Sequence, residues 1–196
     1  FAFNIMKYHS RWSEINETDI DVLLRKKDPN KGFEAYKGFT SFTDIDPRKL
    51  EITDEIMEIK EENEKVIREV LQFCKDNNIP AIFTCSVWHP SVTKRKKGNY
   101  VKKLVEEYGY EFLDMNNHLE EMDFDYTTDM RDKAHVNCYG AYKHTLFLSK
   151  YLSENYNLPD HRGDEGYEDY KEAENLFYQS LEDFKQLHPD IKVKEM

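Results

Sequence analysis

Little in this chain can cross-link it, and no stretch is apolar for long enough to cross a membrane. The three cysteines, Cys74, Cys85 and Cys138, cannot all pair within one chain, and their separations match no metal-ligand spacing. They read as small buried hydrophobes and say little about redox compartment. A run of about 18 apolar residues is absent, as is a signal-peptide pattern, so no segment is expected to span a membrane. Positive charge is in deficit: 28 Lys and Arg against 39 Asp and Glu leave a net charge of −11. Nucleic acid and anionic membrane surfaces would be repelled, and neither is expected as a partner. Internal repeats and low-complexity linkers are missing too. The first residue is Phe1 rather than Met, which reads as an internal start, the chain being part of something longer.

What is present suits one α/β domain with an appendage. A length of 196 residues can bury a real core. Hydrophobic residues make up 39% and charged residues 34%, but 12 Phe, 13 Tyr and 2 Trp supply packing mass, which argues against disorder.

In chain order, Phe1, Phe3, Ile5, Met6, Tyr8, Trp12 and Ile15 fit a short packed helix. The stretch 16–46 reads as loop with a turn at Asp28-Pro29-Asn30-Lys31-Gly32, and Tyr36-Lys37-Gly38-Phe39 as an aromatic covering loop. Thr53 or Asp54 opens the clearest helix, with Ile56, Ile59, Val66, Ile67, Val70, Leu71 and Cys74 at helical spacing. It ends near Asp76-Asn77-Asn78, since Pro80 prevents continuation. The nearly all-apolar run from Ala81 to Val87 follows as a buried strand. A second round repeats the rhythm: a helix over 99–108, Gly109 as its stop, and a strand over 110–114. Helix, turn and strand in this order predict a partial flavodoxin-like parallel sheet flanked by helices. A long loop over 115–133 then leads to His135 and a further helix behind Asn137. The chain divides into an α/β domain over 1–158 and an acidic, amphipathic helical tail over 159–196, with Tyr167, Tyr170, Leu176, Phe177, Leu181 and Phe184 at helical intervals.

The chemistry concentrates in Asp132-Lys133-Ala134-His135-Val136-Asn137. An acid three residues before a histidine can accept a hydrogen bond from one imidazole nitrogen, fix the tautomer, and leave the other nitrogen free as a base. Asn137 is a favourable N-cap for the helix that follows. The pair also admits a plainer reading, a capping hydrogen bond with no catalytic role.

This stretch, D-x-x-H followed by V-N-x-x-G-A-x-K-x-T-x-x-L-x-x-Y-L, resembles the last conserved block of SGNH/GDSL-type hydrolases, and most closely their bacterial cell-surface branch. The similarity extends from His9-Ser10-Arg11-Trp12 to about Tyr170. It implies the C-terminal part of an SGNH-hydrolase fold and roles for two residues: His135 as the base that serves a serine, and Asp132 as its orienting acid. It also implies an acylated glycan, cell-envelope polymer or small ester as substrate, and a cell-surface location.

The family's Gly-Asp-Ser nucleophile block and its Gly-x-Asn-Asp oxyanion block are both absent. Gly163-Asp164-Glu165 has no hydroxyl and comes after the histidine, and Gly98-Asn99-Tyr100 is a helix start. The expectation is therefore that strand one, the serine and the oxyanion donors lie upstream of Phe1. Ser86 and Cys138 are weaker nucleophile candidates: Ser86 lacks a glycine-flanked elbow, and Cys138 sits three residues from His135 on one loop. Trp88 and His89, in the turn behind the first strand, can help bind substrate or can simply end that strand; Asn137 is a further candidate substrate contact. Asp123, Asp125, Asp129, Asp132 and His135 are metal-ligand types, but their spacing matches no known loop, so no metal and no cofactor is expected. Two functions follow: part of a serine esterase or acyltransferase, or a non-catalytic SGNH-like interaction module. Partners expected are an N-terminal segment of the same protein or further copies of the chain.

Overall fold

The computed structural model describes residues 41–192. The expectations placed on 1–40 lie outside the described residues, among them the aromatic stretch Tyr36–Phe39 and the Phe1–Ile15 face. Two compact units divide the chain: Ser41–Arg162 with Phe177–Met196, and Phe1–Thr40 with Gly163–Leu176. The larger unit carries both strands and the Asp132–His135 turn.

Its architecture is α/β. Helix α1 (Glu61–Asp76) leads to strand β1 (Ile82–Cys85), helix α2 (Val92–Glu107) and strand β2 (Glu111–Asp114). A 3-10 turn (Met115–Asn117), the single-turn helix α3 (Leu119–Met122) and helix α4 (Cys138–Asn155) follow. Helix α5 (Glu168–Leu187) is the last element, and its residues from Phe177 on belong to the larger unit. The two strands run parallel, with Ile82 opposite Glu111, Phe83 opposite Phe112 and Cys85 opposite Asp114. Parallel strands need a crossover element between them, and α2 supplies it. Its end is set by Gly109, whose φ of +84° is a left-handed conformation that a side chain would resist.

Alternation along the strands sends side chains into two cores. Phe83 and Phe112 pack with Leu71, Leu104 and Val105 beneath α1 and α2. Ile82 and Leu113 pack with Met115, Met122, Phe124, Tyr126 and Met130, against Phe147, Leu148 and Tyr151 of α4. Each fully buried Leu here stabilises the fold by about 1.5–3 kcal/mol. A third cluster joins Cys138 and Tyr139 of α4 to Leu181 and Phe184, so the C-terminal part of α5 folds back onto the α/β unit. Among the described residues no helix is long and apolar enough to cross a membrane.

Several expectations need correction. Helix α2 begins at Val92, where the Ser91 side chain caps it by accepting the Lys94 N–H, and not at Asn99, so Gly98-Asn99-Tyr100 lies inside the helix rather than at its start. The first helix begins at Glu61, not at Thr53 or Asp54. Tertiary partners take the backbone of 53–57 instead: Asn99 Nδ2 donates to the carbonyls of Thr53 and Glu55, both at 2.9 Å, and Met57 N–H donates to Lys96 O at 3.1 Å. The apolar stripe of α1 is also only half used. Ile67 and Leu71 join the core, whereas Val66 and Val70 are exposed, and Phe73, outside that stripe, is exposed beside them. On α4, where the sequence predicts a buried face of Ala141, Thr145, Leu146, Leu148, Ser149 and Leu152, Thr145, Leu146 and Ser149 are exposed, and burial concentrates at the first turns, Cys138–Ala141 and Lys143.

Candidate functional site

Local turn chemistry builds the loop between β2 and α4. Asp114 accepts the Asn116 N–H at 3.0 Å, which starts the 3-10 turn. Asp123 closes α3 in a left-handed conformation, φ +53°. Asp125 accepts the Thr127 N–H and hydroxyl at 2.8 and 2.7 Å. The Asp129 carboxylate, fully buried, accepts the Asp125 N–H (2.8 Å), the Thr128 hydroxyl (2.8 Å) and the Lys143 ammonium (2.7 Å). Burial nonetheless pushes its pKa above the ordinary carboxylate value, against the pull of those donors. Asp125 and Asp129 are thus spent on turn geometry and on a buried ion pair. Among the described residues no group of three or more His, Cys, Asp or Glu is placed to hold a metal ion.

From Met130 the chain makes a small hairpin. Met130 and Val136 form an antiparallel bridge, and Arg131 N–H donates to His135 O at 2.9 Å. The turn brings the Asp132 carboxylate under the N–H groups of Ala134 (2.7 Å) and His135 (3.0 Å). The same carboxylate meets His135 Nδ1 at 2.9 and 3.0 Å. An ionised carboxylate only accepts, so Nδ1 carries the proton and the Nε2 lone pair points away. Hydrogen bonding by Ala134 N–H, then by the His135 ring, holds the Asp132 carboxyl below the usual carboxylate range. Among the described residues Nε2 has no hydrogen-bond partner. The ring is open to solvent, its side chain 61% exposed against 39% for Asp132.

Two straps anchor this hairpin. Asp46 N–H donates to Met130 O (2.8 Å) and Arg48 N–H to Tyr126 O (2.9 Å), while Arg131 stacks over the Phe42 ring at 3.4 Å. On the other side, His89 N–H donates to Lys133 O at 2.8 Å. The turn that follows β1 therefore sits directly beside the histidine loop, at the carboxyl ends of the strands. That is where open parallel sheets place their sites. Trp88 and His89 are both half-buried here. His89 Nε2 donates to Lys49 O (2.8 Å), and Lys94 lies over the Trp88 ring at 5.4 Å. Their side chains brace the turn while remaining partly accessible. Ser86 is exposed at the end of β1.

Comparison with known proteins returns no matching family model, no matching curated protein and no matching solved structure.

The remaining candidates have structural duties. Asn137 is wholly buried: Oδ1 caps α4 by accepting Gly140 N–H at 2.9 Å, and Nδ2 donates to Thr128 O (2.7 Å) and Asp44 O (3.2 Å). It fixes the exit of the histidine loop and leaves no face for a ligand. Cys138 is equally buried, with Sγ at 3.5 Å from Ser180 O, and burial pushes its thiol up to about 11. That environment suppresses the thiolate, the reverse of what a nucleophile requires. Cys74 and Cys85 are only half-buried, unlike the buried hydrophobes expected. Asn116 and Tyr126 carry no local signature in the sequence, because their roles come from partners distant in the chain, and the Lys143 of the V-N-x-x-G-A-x-K stretch gives no sign there of its pairing with Asp129.

Proposed function

We propose that the chain forms the C-terminal part of an SGNH/GDSL-like serine esterase or acyltransferase that acts on an acylated glycan or cell-envelope polymer. The observation that carries this reading is the Asp132–His135 geometry: a carboxylate on Nδ1 at 2.9 Å and an exposed, unpartnered Nε2 at the carboxyl ends of parallel strands. In the proposed mechanism Nε2 takes the proton of a serine hydroxyl as it attacks the ester carbonyl. Asp132 stabilises the imidazolium, and His135 then returns the proton to the leaving alcohol. The acyl-enzyme is resolved by water or by a sugar hydroxyl activated in the same way. The serine and the oxyanion donors are supplied from outside the described residues, and the partly open turn at Trp88 and His89 offers a surface for the substrate.

The test is labelling of the native protein by a fluorophosphonate probe, alongside hydrolysis of a small acetyl ester. His135→Ala should abolish both with an unchanged unfolding temperature, and Asp132→Asn should reduce turnover by about 10²- to 10⁴-fold. Labelling that survives His135→Ala removes the base assignment. A protein that neither labels nor hydrolyses supports a second reading, a non-catalytic interaction module, which the exposed row Val66, Val70 and Phe73 on α1 favours.

A further inference from the structure

The carboxyl ends of β1 and β2 are joined by a buried polar network centred on one amide. Asn116 is 2% exposed, and both ends of its side chain are occupied. Oδ1 accepts Trp88 N–H (3.2 Å) and the Tyr126 hydroxyl (2.8 Å). Nδ2 donates to the Asp114 carboxylate (2.8 Å) and to Ser86 O (3.4 Å). The Tyr126 hydroxyl is also 3.0 Å from Trp88 O. Asp114 is balanced in turn by the buried Arg95, at 3.6 Å, which also donates to Asn117. One residue beyond Trp88, His89 N–H holds Lys133 O, in the middle of the Asp132–His135 turn.

We infer that Asn116 is a positioning residue for the Asp132–His135 pair, fixing the Ser86–His89 turn on which the histidine loop rests. The inference rests on the reading of that pair as base and orienting acid. Few side chains fit the position. It needs an acceptor facing the Trp88 amide and Tyr126, and donors facing a carboxylate and a carbonyl, in a site closed to water. Aspartate would set a second negative charge against Asp114, and leucine would leave the Trp88 amide unpaired and the Ser86 carbonyl with only the weak Cys85 thiol as donor. Either change frees the turn that seats Lys133, so the imidazole loses its alignment without being touched.

The experiment is nitrogen-15 NMR of the His135 ring in the whole chain, followed upward in pH until the ring signals stop moving, with hydrogen exchange at the His89 amide. The parent should show the Nδ1–H form and a protected His89 amide. Asn116→Leu should lose the Nδ1–H signal in favour of the Nε2–H form that free imidazoles prefer, and lose protection at His89. Tyr126→Phe deletes only the shared hydroxyl; it should shift both readouts in the same direction and serves where Asn116→Leu does not fold. Leu71→Ala, destabilising but on α1 in the other core, should leave both readouts as in the parent. An unchanged His135 signature in folded Asn116→Leu or Tyr126→Phe overturns the inference, as does an equal loss in Leu71→Ala. A parent that lacks the Nδ1–H form altogether overturns the proposed function itself.

Discussion

Gly140 lies so tightly against Asp129 that a Cβ on it would stand 2.3 Å from the Asp129 carbonyl oxygen. That carbonyl is pinned because it accepts the Asn137 N–H at 3.0 Å, so the loop before the histidine and the first turn of α4 meet backbone to backbone. The obstacle is main chain, which cannot swing aside as a side-chain tip can. Gly140→Ala should therefore cost about 1–3 kcal/mol or more despite the better helix propensity of alanine. Gly98, inside α2, has nothing within 4 Å of its Cβ direction. Gly98→Ala should stabilise by about 0.5–1 kcal/mol. Opposite signs in thermal unfolding check both; a neutral Gly140→Ala would show that the loop can retreat.

The buried Asp129–Lys143 pair makes a pH-dependent prediction. Burial holds the Asp129 carboxyl above its ordinary value, so the native state binds its proton more tightly than the unfolded chain. Stability from such a group is greatest at acid pH and declines as pH rises from the unfolded pKa through the folded one. Lys143→Met removes the cation at 2.7 Å and drives the carboxyl higher still. At neutral pH the cost should be about 3–5 kcal/mol, since an unpaired charge is left buried. Urea midpoints compared at about pH 4.5 and about pH 7.5 should show the deficit narrowing in acid. A deficit equal at both pH values would mean the carboxylate reaches water in the variant.

How much of this was legible follows from the range of each interaction. Pro80 and Gly109 bound the two strands, and apolar runs between such breakers are read locally, as is the i to i+3 contact of Asp132 with His135. The Asn137 cap was visible for the same reason. The start of α1 was not, because Asn99 and Lys96, some forty residues on, take the backbone groups that a helix over 53–60 would need. Nor was the split of its apolar stripe into a buried half and an exposed half, which periodicity alone does not resolve. The acidic run at Asp125 and Asp129 reads only as metal-ligand types without a matching loop, because charge spacing cannot reveal that Asp129 is buried and that Lys143 arrives from the next helix to pair with it. Asn116 had no signature, since the partners of its side chain are spread over Cys85, Ser86, Trp88, Asp114 and Tyr126.

Cysteine reactivity separates the base reading from a thiolate one. The Cys138 thiol is fully buried and pushed up to about 11, by burial first of all. Cys74 and Cys85 are partly exposed, although burial and then the Asp114 charge raise the Cys85 thiol as well. Iodoacetamide on the native chain should modify Cys74 first and Cys85 slowly, leaving Cys138 untouched until urea unfolds the protein. Peptide mass spectrometry reads the order. Rapid native alkylation of Cys138 would reopen the possibility of a nucleophile beside His135.

Asn137 offers a sharper test of what anchors the histidine loop, because two substitutions separate its acceptor from its donors. Asn137→Ala loses the cap to Gly140, about 1 kcal/mol, and leaves the carbonyls of Thr128 and Asp44 without their donor, about 1–3 kcal/mol more for a buried group. Nothing titrates, so this cost should be flat with pH. Asn137→Asp keeps the cap acceptor, and a negative charge at a helix start gains about 0.3–1 kcal/mol from the dipole. Its second oxygen, however, replaces an amide that sits 2.7 Å from Thr128 O and 3.2 Å from Asp44 O. Oxygen facing oxygen in a site with no solvent access drives the carboxyl to take up a proton, which it can then donate to one carbonyl. Its folded pKa should rise above the unfolded value, so stability is retained in acid and lost as pH climbs through that raised value. Unfolding curves for the two variants should cross: the Asp form the more stable at low pH, the Ala form equal or better near neutrality. If the Asp form instead stays ahead at every pH, the cap dominates, and the bonds to Thr128 and Asp44 contribute little to holding the loop.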